Sequence, residues 1–203
     1  MKQPRSSRHR PLLWVALLLL GGLALGTSGC AGSTADNSRY PDRFVSAVDE
    51  SPVLERELFE GHPPAALGFV ELMRGLPQDP QWRDSVRAVY ADELYFSDTL
   101  AQLTTVDALI DHLAGVQSNA ETLEVTVHDV VSSERGTYLR WQMVSTFRVL
   151  GRPVESRTIG VSMLRFDDDG RINFQQDFWD SAEGFYQHVP ILGSVIRGIG
   201  GRF

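Results

Sequence analysis

Ser162, Gln175, Asp177 and Trp179 lie close together in the stretch GVSMLRFDDDGRINFQQDFWD, Gly160 to Asp180. They supply a hydroxyl, an amide, a carboxyl and an indole N–H, a set able to orient a polar group and exchange a proton with it. A carboxyl in apolar surroundings is pushed toward its neutral form, and a second carboxyl beside it pushes it further, so two aspartates in one cavity would provide an acid and a base at neutral pH. Asp98, after the run ELYFS, is the second carboxyl to consider with Asp177. Each also has an ordinary explanation. Asp-Thr after a strand is common turn chemistry, and Asp177 could accept a hydrogen bond that merely stiffens a sheet.

These side chains share a site only if the strands bring them together. Met163, Leu164 and Phe166 lead into Asp167-Asp168-Asp169-Gly170, and Ile172 starts a returning strand, which reads as a hairpin with glycine at the position needing positive φ. A loop of two or four residues places Phe166 opposite Arg171, hence Ser162 opposite Gln175, Gly160 opposite Asp177 and Thr158 opposite Trp179. The same count about Gly151-Arg152 places Val149 opposite Val154, Trp141 beside Ser162, Met143 beside Gly160 and Ser145 beside Thr158. One face then carries Trp141, Met143, Ser162, Gln175, Asp177 and Trp179, with open space over Gly160. The other carries Ile159, Val161, Met163, Ile172, Phe174 and Phe178 and is the more apolar. Patterning leaves two arrangements open: the apolar face is the covered core and Asp177 meets water, or the mixed face lines a pocket and a second copy of the chain covers the apolar one.

Upstream, Ala65–Leu76 carries Leu67, Val70, Leu72 and Met73 at near-helical spacing. Asp79 and Pro80 suit the start of a second helix running to about Ala91. Glu93–Leu100 reads as a short strand, and Thr104 with Asp107 resembles a capping box for a helix over Val106–Val116, whose buried stripe is Ala108, Leu109 and Leu113. Four strand patterns follow, 122–131, 137–150, 154–166 and 171–180. Helices first and a meander afterwards predict an α+β domain, a curved antiparallel sheet wrapped around about three helices.

The first ten residues hold four bases and no acid, and the apolar run Pro11–Gly26 ends in small residues before Cys30, the chain's sole cysteine. Residues 1–29 thus read as an export signal. The cysteine placed directly after small residues resembles a bacterial lipoprotein signal, which implies diacylation of Cys30 and attachment to a membrane of the bacterial envelope on its non-cytoplasmic side. Residues 30–64 read as the lipidated cysteine, a tether and an N-terminal arm, and 190–203 as a tail able to form an apolar helical turn. Without residues 1–29 the chain keeps 15 basic and 26 acidic residues, a net charge of −11, and its only lysine is Lys2. This argues against a nucleic-acid partner. No histidine pair has metal-ligand spacing and no glycine-rich phosphate loop occurs, so no metal or cofactor is expected.

The strings AVYADELYFSD (Ala88–Asp98) and LRFDDDGRINFQQDFWD (Leu164–Asp180) resemble the SnoaL-like branch of the nuclear transport factor 2-like superfamily over about Ala65–Val189. That resemblance implies a cone with a pocket between sheet and helices, and favours the mixed face as the pocket lining. It makes Asp98 similar to the general-base aspartate of ketosteroid isomerases, and Asp177 similar to the last-strand aspartate of the related epoxide hydrolases. It also marks departures. The isomerases' second carboxyl falls on Ser162, and their helix tyrosine has no counterpart, leaving Tyr90 or Tyr138 if either points inward. The epoxide hydrolases' Arg-x-Asp pair falls on Arg140 and Gln142. His112 and His128 are further possible bases, with surface or structural roles as the plainer explanation. The expectation is a domain binding a small apolar molecule, with two alternatives: a cofactor-free isomerase, cyclase or hydrolase using Asp98 and Asp177, or a non-catalytic module dimerising through the outer sheet face.

Overall fold

The structure, a computed structural model, describes residues 40–48, 55–189, 193–194 and 198. Residues 1–29, read as an export signal, Cys30 and most of the C-terminal tail lie outside the described residues, and among those described no helix is long and apolar enough to cross a membrane.

Helices α1 (Tyr40–Val48), α2 (Glu55–Leu58), α3 (Pro64–Gly75) and α4 (Trp82–Val89) precede strands β1 (Tyr90–Ser97) and β2 (Gln102–Thr105). Helix α5 (Val106–Asn119) then leads to β3 (Ala120–Ser133), β4 (Gly136–Val149), β5 (Arg152–Phe166) and β6 (Ile172–Trp179). A short helix α6 (Ser181–Gly184) and a 3₁₀ turn (Tyr186–His188) follow. Three local readings change. Thr105 rather than Thr104 caps α5, accepting from the Ala108 N–H. Asp79 accepts from the Gln81 N–H just ahead of α4, which begins at Trp82. Part of the expected tether is helical, since Pro41-Asp42 opens α1.

The six strands run β2-β1-β6-β5-β4-β3, and all neighbours are antiparallel except β1 with β6. That parallel pair follows from connectivity: α5 carries the chain from the β1–β2 hairpin to the far edge, and the meander returns it alongside β1. Bulges interrupt β3 at residues 120–122 and 127–129, with His128 as an inserted residue, and help bend the sheet. Leu109 of α5, Leu139 of β4, Leu164 of β5 and Val70 of α3 share one buried cluster, so the helices cover the sheet's concave face.

Both hairpins depart from the expected register, each by two residues. Between β4 and β5 the turn is Leu150-Gly151, both at positive φ (50° and 78°), which pairs Val149 with Arg152 and Trp141 with Gly160. This mirror-image two-residue turn suits the sheet's twist even though a leucine occupies one of its positions. Between β5 and β6 the loop spans Asp167 to Arg171, so Phe166 faces Ile172. Asp167 holds this loop by accepting from the N–H groups of Asp169 and Arg171. Asn173 is then inserted as a bulge, and beyond it Ser162 pairs with Asp177 and Gly160 with Trp179. The two one-residue offsets add, so the faces are preserved although the partners change. Ile172, expected on the outer face, lies before the bulge and is fully buried.

The mixed face is the covered one: Ser156, Thr158, Ser162 and Gln175 are all buried. Gly160 does not leave open space. A Cβ there would meet the Trp141 indole at 2.4 Å, so the glycine makes room for that ring. On the opposite face, Asp42 of α1 accepts from Gln142 and lies 3.8 Å from Arg157, while Arg140 sits over the Phe44 ring. Part of the face assigned to a second copy is therefore covered by the chain itself. Phe178, 56% exposed, remains open.

Candidate functional site

The site is built where β1, β5 and β6 meet on the concave face. β6 presents Gln175, Asp177 and Trp179 with alternating spacing, β5 presents Ser162, and β4 brings Trp141 across Gly160. Trp141 Nε1 donates to Ser162 Oγ at 2.9 Å, and Ser162 donates to Asp177 Oδ1 at 2.7 Å. From the other side, Gln175 Nε2 donates to Asp177 Oδ1 at 3.1 Å and Oδ2 at 2.9 Å, while the Tyr90 hydroxyl donates to Gln175 Oε1. Two chains of donors thus converge on one carboxyl. Ser162 and Gln175 are 0% and 2% exposed, so neither can reorient toward bulk water.

Burial is the largest influence on Asp177 and raises its pKa from 3.8 to about 7. The bonds from Ser162 and Gln175 pull in the opposite direction, and the charge of Asp98 adds to the rise. The reason is that all its direct side-chain donors are neutral, and neutral dipoles offset only part of the cost of taking a charge out of water. Such a carboxyl can accept or release a proton near neutrality. Burial, and after it the charge of Asp177, hold the Tyr90 phenol well above its usual range, so Tyr90 remains protonated.

Asp98 is held differently. Its Oδ2 lies 2.7 Å from His112 Nε2, and its Oδ1 accepts from the N–H groups of Leu100 and Ala101 at 2.9 and 2.8 Å. Burial alone would raise its pKa, but the His112 hydrogen bond, the Ala101 N–H, the His112 charge and the Leu100 N–H together keep it below the usual carboxylate value. His112 rises in return, first through the hydrogen bond to Asp98, against its own burial. With side chains 17% and 21% exposed, the pair is an ion pair at the edge of the core, its carboxylate occupied on both oxygens. Trp179 Nε1 donates to the Asp98 carbonyl at 2.7 Å and ties this pair to β6.

All the residues expected at the site therefore lie on the concave side, with Trp141, Ser162, Gln175 and Asp177 in direct contact, Trp179 bonded to Asp98, and Met143 paired with Thr158 and packed against the core. Tyr90 points inward, whereas Tyr138 has the outward parity of its partner Met163. Arg140 and Gln142 face outward, away from Asp177. Two features had little signal in the sequence. His112 lies three residues after Leu109 on α5, at the margin of the buried stripe, which places it beside β1. The second is the C-terminal segment. Gly184 packs so closely on Thr158 and Trp179 that a Cβ would lie 2.2 and 2.6 Å from them; Ser156 donates to its carbonyl, and Phe185 stacks on Phe147. Chain from beyond β6 thereby covers part of the apolar wall. A separate shallow groove of 510 Å³, lined by Glu93, Leu94, Tyr95, Thr104, Thr105 and Asn173, shares no residue with the Asp177 network. Among the described residues, no group of three or more His, Cys, Asp or Glu side chains could hold a metal ion.

A family model for the SnoaL-like domain matches residues 78–174, ending three residues before Asp177. No curated protein matches the chain. Among solved structures, the chain is similar to an NTF2-like protein of unknown function from Exiguobacterium sp. 255-15, at 18% identity and a TM-score of 0.51, covering 57% of this chain and 98% of that one. It is also similar to a candidate SnoaL-like polyketide cyclase from Shewanella denitrificans OS-217, at 13% identity and 0.51, covering 60% and 94%. Another candidate SnoaL-like polyketide cyclase, from Shewanella putrefaciens CN-32, matches at 14% and 0.50, covering 60% and 93%. The fold is thus SnoaL-like and NTF2-like, an α+β cone. At these identities the likeness concerns architecture, and chemistry has to be argued from the side chains.

Proposed function

Starting from the SnoaL-like fold, we propose that this domain binds a small, largely apolar molecule whose polar group meets Asp177, with Trp141, Met143 and Trp179 supplying the apolar surface and Ser162 and Gln175 fixing the carboxyl. The observation that carries this reading is the convergence of the Trp141–Ser162 and Tyr90–Gln175 donors on a half-buried carboxyl. A carboxyl prepared in this way, amid apolar residues, selects a ring or chain bearing one hydroxyl or carbonyl. The probe is 2-naphthol, followed by quenching of tryptophan fluorescence at pH 8. Asp177→Asn should weaken its binding at least ~10-fold, a change of about 1.4 kcal/mol. Equal affinity in the two proteins would reject the reading.

The pKa of about 7 favours a second reading, proton transfer on a carbonyl compound with Asp177 as the base. Asp98 then acts through its ion pair with His112, holding β1 and α5 in place instead of taking the proton. Deuterium incorporation at the carbon next to the carbonyl of 2-tetralone, observed by NMR in D₂O, tests it. Exchange above buffer that disappears in Asp177→Asn supports catalysis, and exchange at the buffer rate restricts the domain to binding.

Export and lipid attachment through Cys30 are part of the proposal, supported by the basic start, the apolar run and the position of the cysteine. Labelling with radioactive palmitate in a bacterial host should mark the wild-type chain and leave Cys30→Ser unmarked. Label retained by Cys30→Ser would exclude that anchor.

A further inference from the structure

We propose that Tyr90 is a positioning residue for Asp177, acting through Gln175, and that the two leave Asp177 Oδ2 as the oxygen that exchanges a proton with the bound molecule. The inference rests on the reading of Asp177 as the working group of the site. Tyr90 opens β1, is 2% exposed, and reaches across the β1–β6 junction to donate to Gln175 Oε1. A primary amide has one accepting end and one donating end. Once Tyr90 holds the oxygen, the nitrogen is aimed the other way, at both oxygens of Asp177. Because the phenol stays protonated, its role as donor does not reverse near neutrality.

The opposite arm makes the two carboxyl oxygens unequal. Ser162 has a single hydroxyl hydrogen, and since its oxygen already accepts from Trp141, that hydrogen is given to Asp177 Oδ1. Oδ1 therefore receives donors from both Ser162 and Gln175, whereas Oδ2 receives Gln175 alone and keeps a lone pair. When the bound molecule gives up a proton, its X–H bond breaks, the electron pair stays on X, and the new O–H bond forms on Oδ2. Return of the proton reverses each change, so no further reactant is required. If the Gln175 amide were free to turn, its oxygen could face the carboxyl, an arrangement tolerated only when Asp177 is protonated.

The test follows the side-chain carboxyl ¹³C resonance of Asp177 during a pH titration of ligand-free protein, so failure to bind naphthol or exchange tetralone cannot imitate its outcome. Tyr90→Phe keeps the buried ring and removes the hydroxyl. The midpoint of Asp177 should rise by ~0.5 pH or more as the carboxylate loses its ordered donor, and in a Gln175→Leu background the same substitution should change nothing further. An unmoved midpoint in folded Tyr90→Phe overturns the proposal, as does an equal rise in both backgrounds, which would mean that Tyr90 does not act through Gln175. Should Tyr90→Phe fail to fold, the wild-type protein carries a parallel test. The Tyr90 hydroxyl and Gln175 side-chain amide protons should both shift with the midpoint of Asp177, and resonances indifferent to that titration would overturn the proposal.

Discussion

Asp98 and Asp177 are both withdrawn from bulk water, both accept several hydrogen bonds, and are close enough for the charge of one to act on the other, yet their pKa values move in opposite directions. The difference lies in their partners. Asp98 faces a histidine that can carry positive charge and two backbone N–H groups, whereas Asp177 faces a serine hydroxyl and a glutamine amide. The charged partner and the two backbone N–H groups together outweigh burial at Asp98, whereas the two neutral side-chain donors only moderate it at Asp177. A hydrogen-bond count alone would have treated the two carboxyls as equivalent.

Substitution should separate them most strongly in stability. Asp98→Ala leaves the Leu100 and Ala101 N–H groups unpaired and removes the partner of His112, costing about 3 kcal/mol in urea unfolding at neutral pH. Asp177→Asn keeps the shape and removes a charge that burial disfavours, so at pH 8 it should cost less than about 1 kcal/mol. Similar losses from the two substitutions would erase the distinction.

The pH dependence should divide in the same way. Because the folded pKa of Asp177 is raised, the native state holds a proton that the unfolded chain has released. This contribution to stability is full below pH 3.8 and is lost as pH rises to about 7. Asp177→Asn should lack that decline. The lowered pKa of Asp98 has the opposite sign, giving stability that is present above 3.8 and lost on acidification through its folded value. The raised pKa of His112 gives stability present below 6.5 and lost as pH climbs through its folded value, a decline that His112→Asn should remove.

Two smaller effects probe the links. Ser162→Ala removes a donor from Asp177 and leaves the Trp141 N–H unpaired, costing about 2 kcal/mol and moving the titration of Asp177 upward. Trp179→Phe removes the bond to the Asp98 carbonyl and should cost about 1 kcal/mol without moving Asp177 by more than ~0.3 pH. A larger movement would mean that the two aspartates are joined through that indole.

The fold, and the sharing of one face by Trp141, Ser162, Gln175, Asp177 and Trp179, were legible because alternation over long strands determines which side chains lie together, and a two-residue slip leaves that unchanged. That this face is the inward one followed from the family resemblance, since the outer face is the more apolar by pattern. Pairing was less legible. The Leu150-Gly151 turn puts leucine at a positive φ, and the Asn173 bulge has no glycine to mark it, so Ser162 was matched with Gln175 instead of Asp177. The partner of Asp98 was obscured for another reason: His112 reaches it from the helix packed beside β1, and no local pattern encodes that approach. The same holds for the packing of Gly184 over Thr158 and Trp179, and for α1 against the outer face.

The central claim, that Asp177 and not Asp98 is the group that exchanges a proton near neutrality, is tested most directly by recording both side-chain carboxyl resonances in one pH titration of the wild-type protein. The account predicts a midpoint of about 7 for Asp177 and one below 3.8 for Asp98. A midpoint for Asp177 in the ordinary carboxylate range, or one for Asp98 near neutrality, would contradict it.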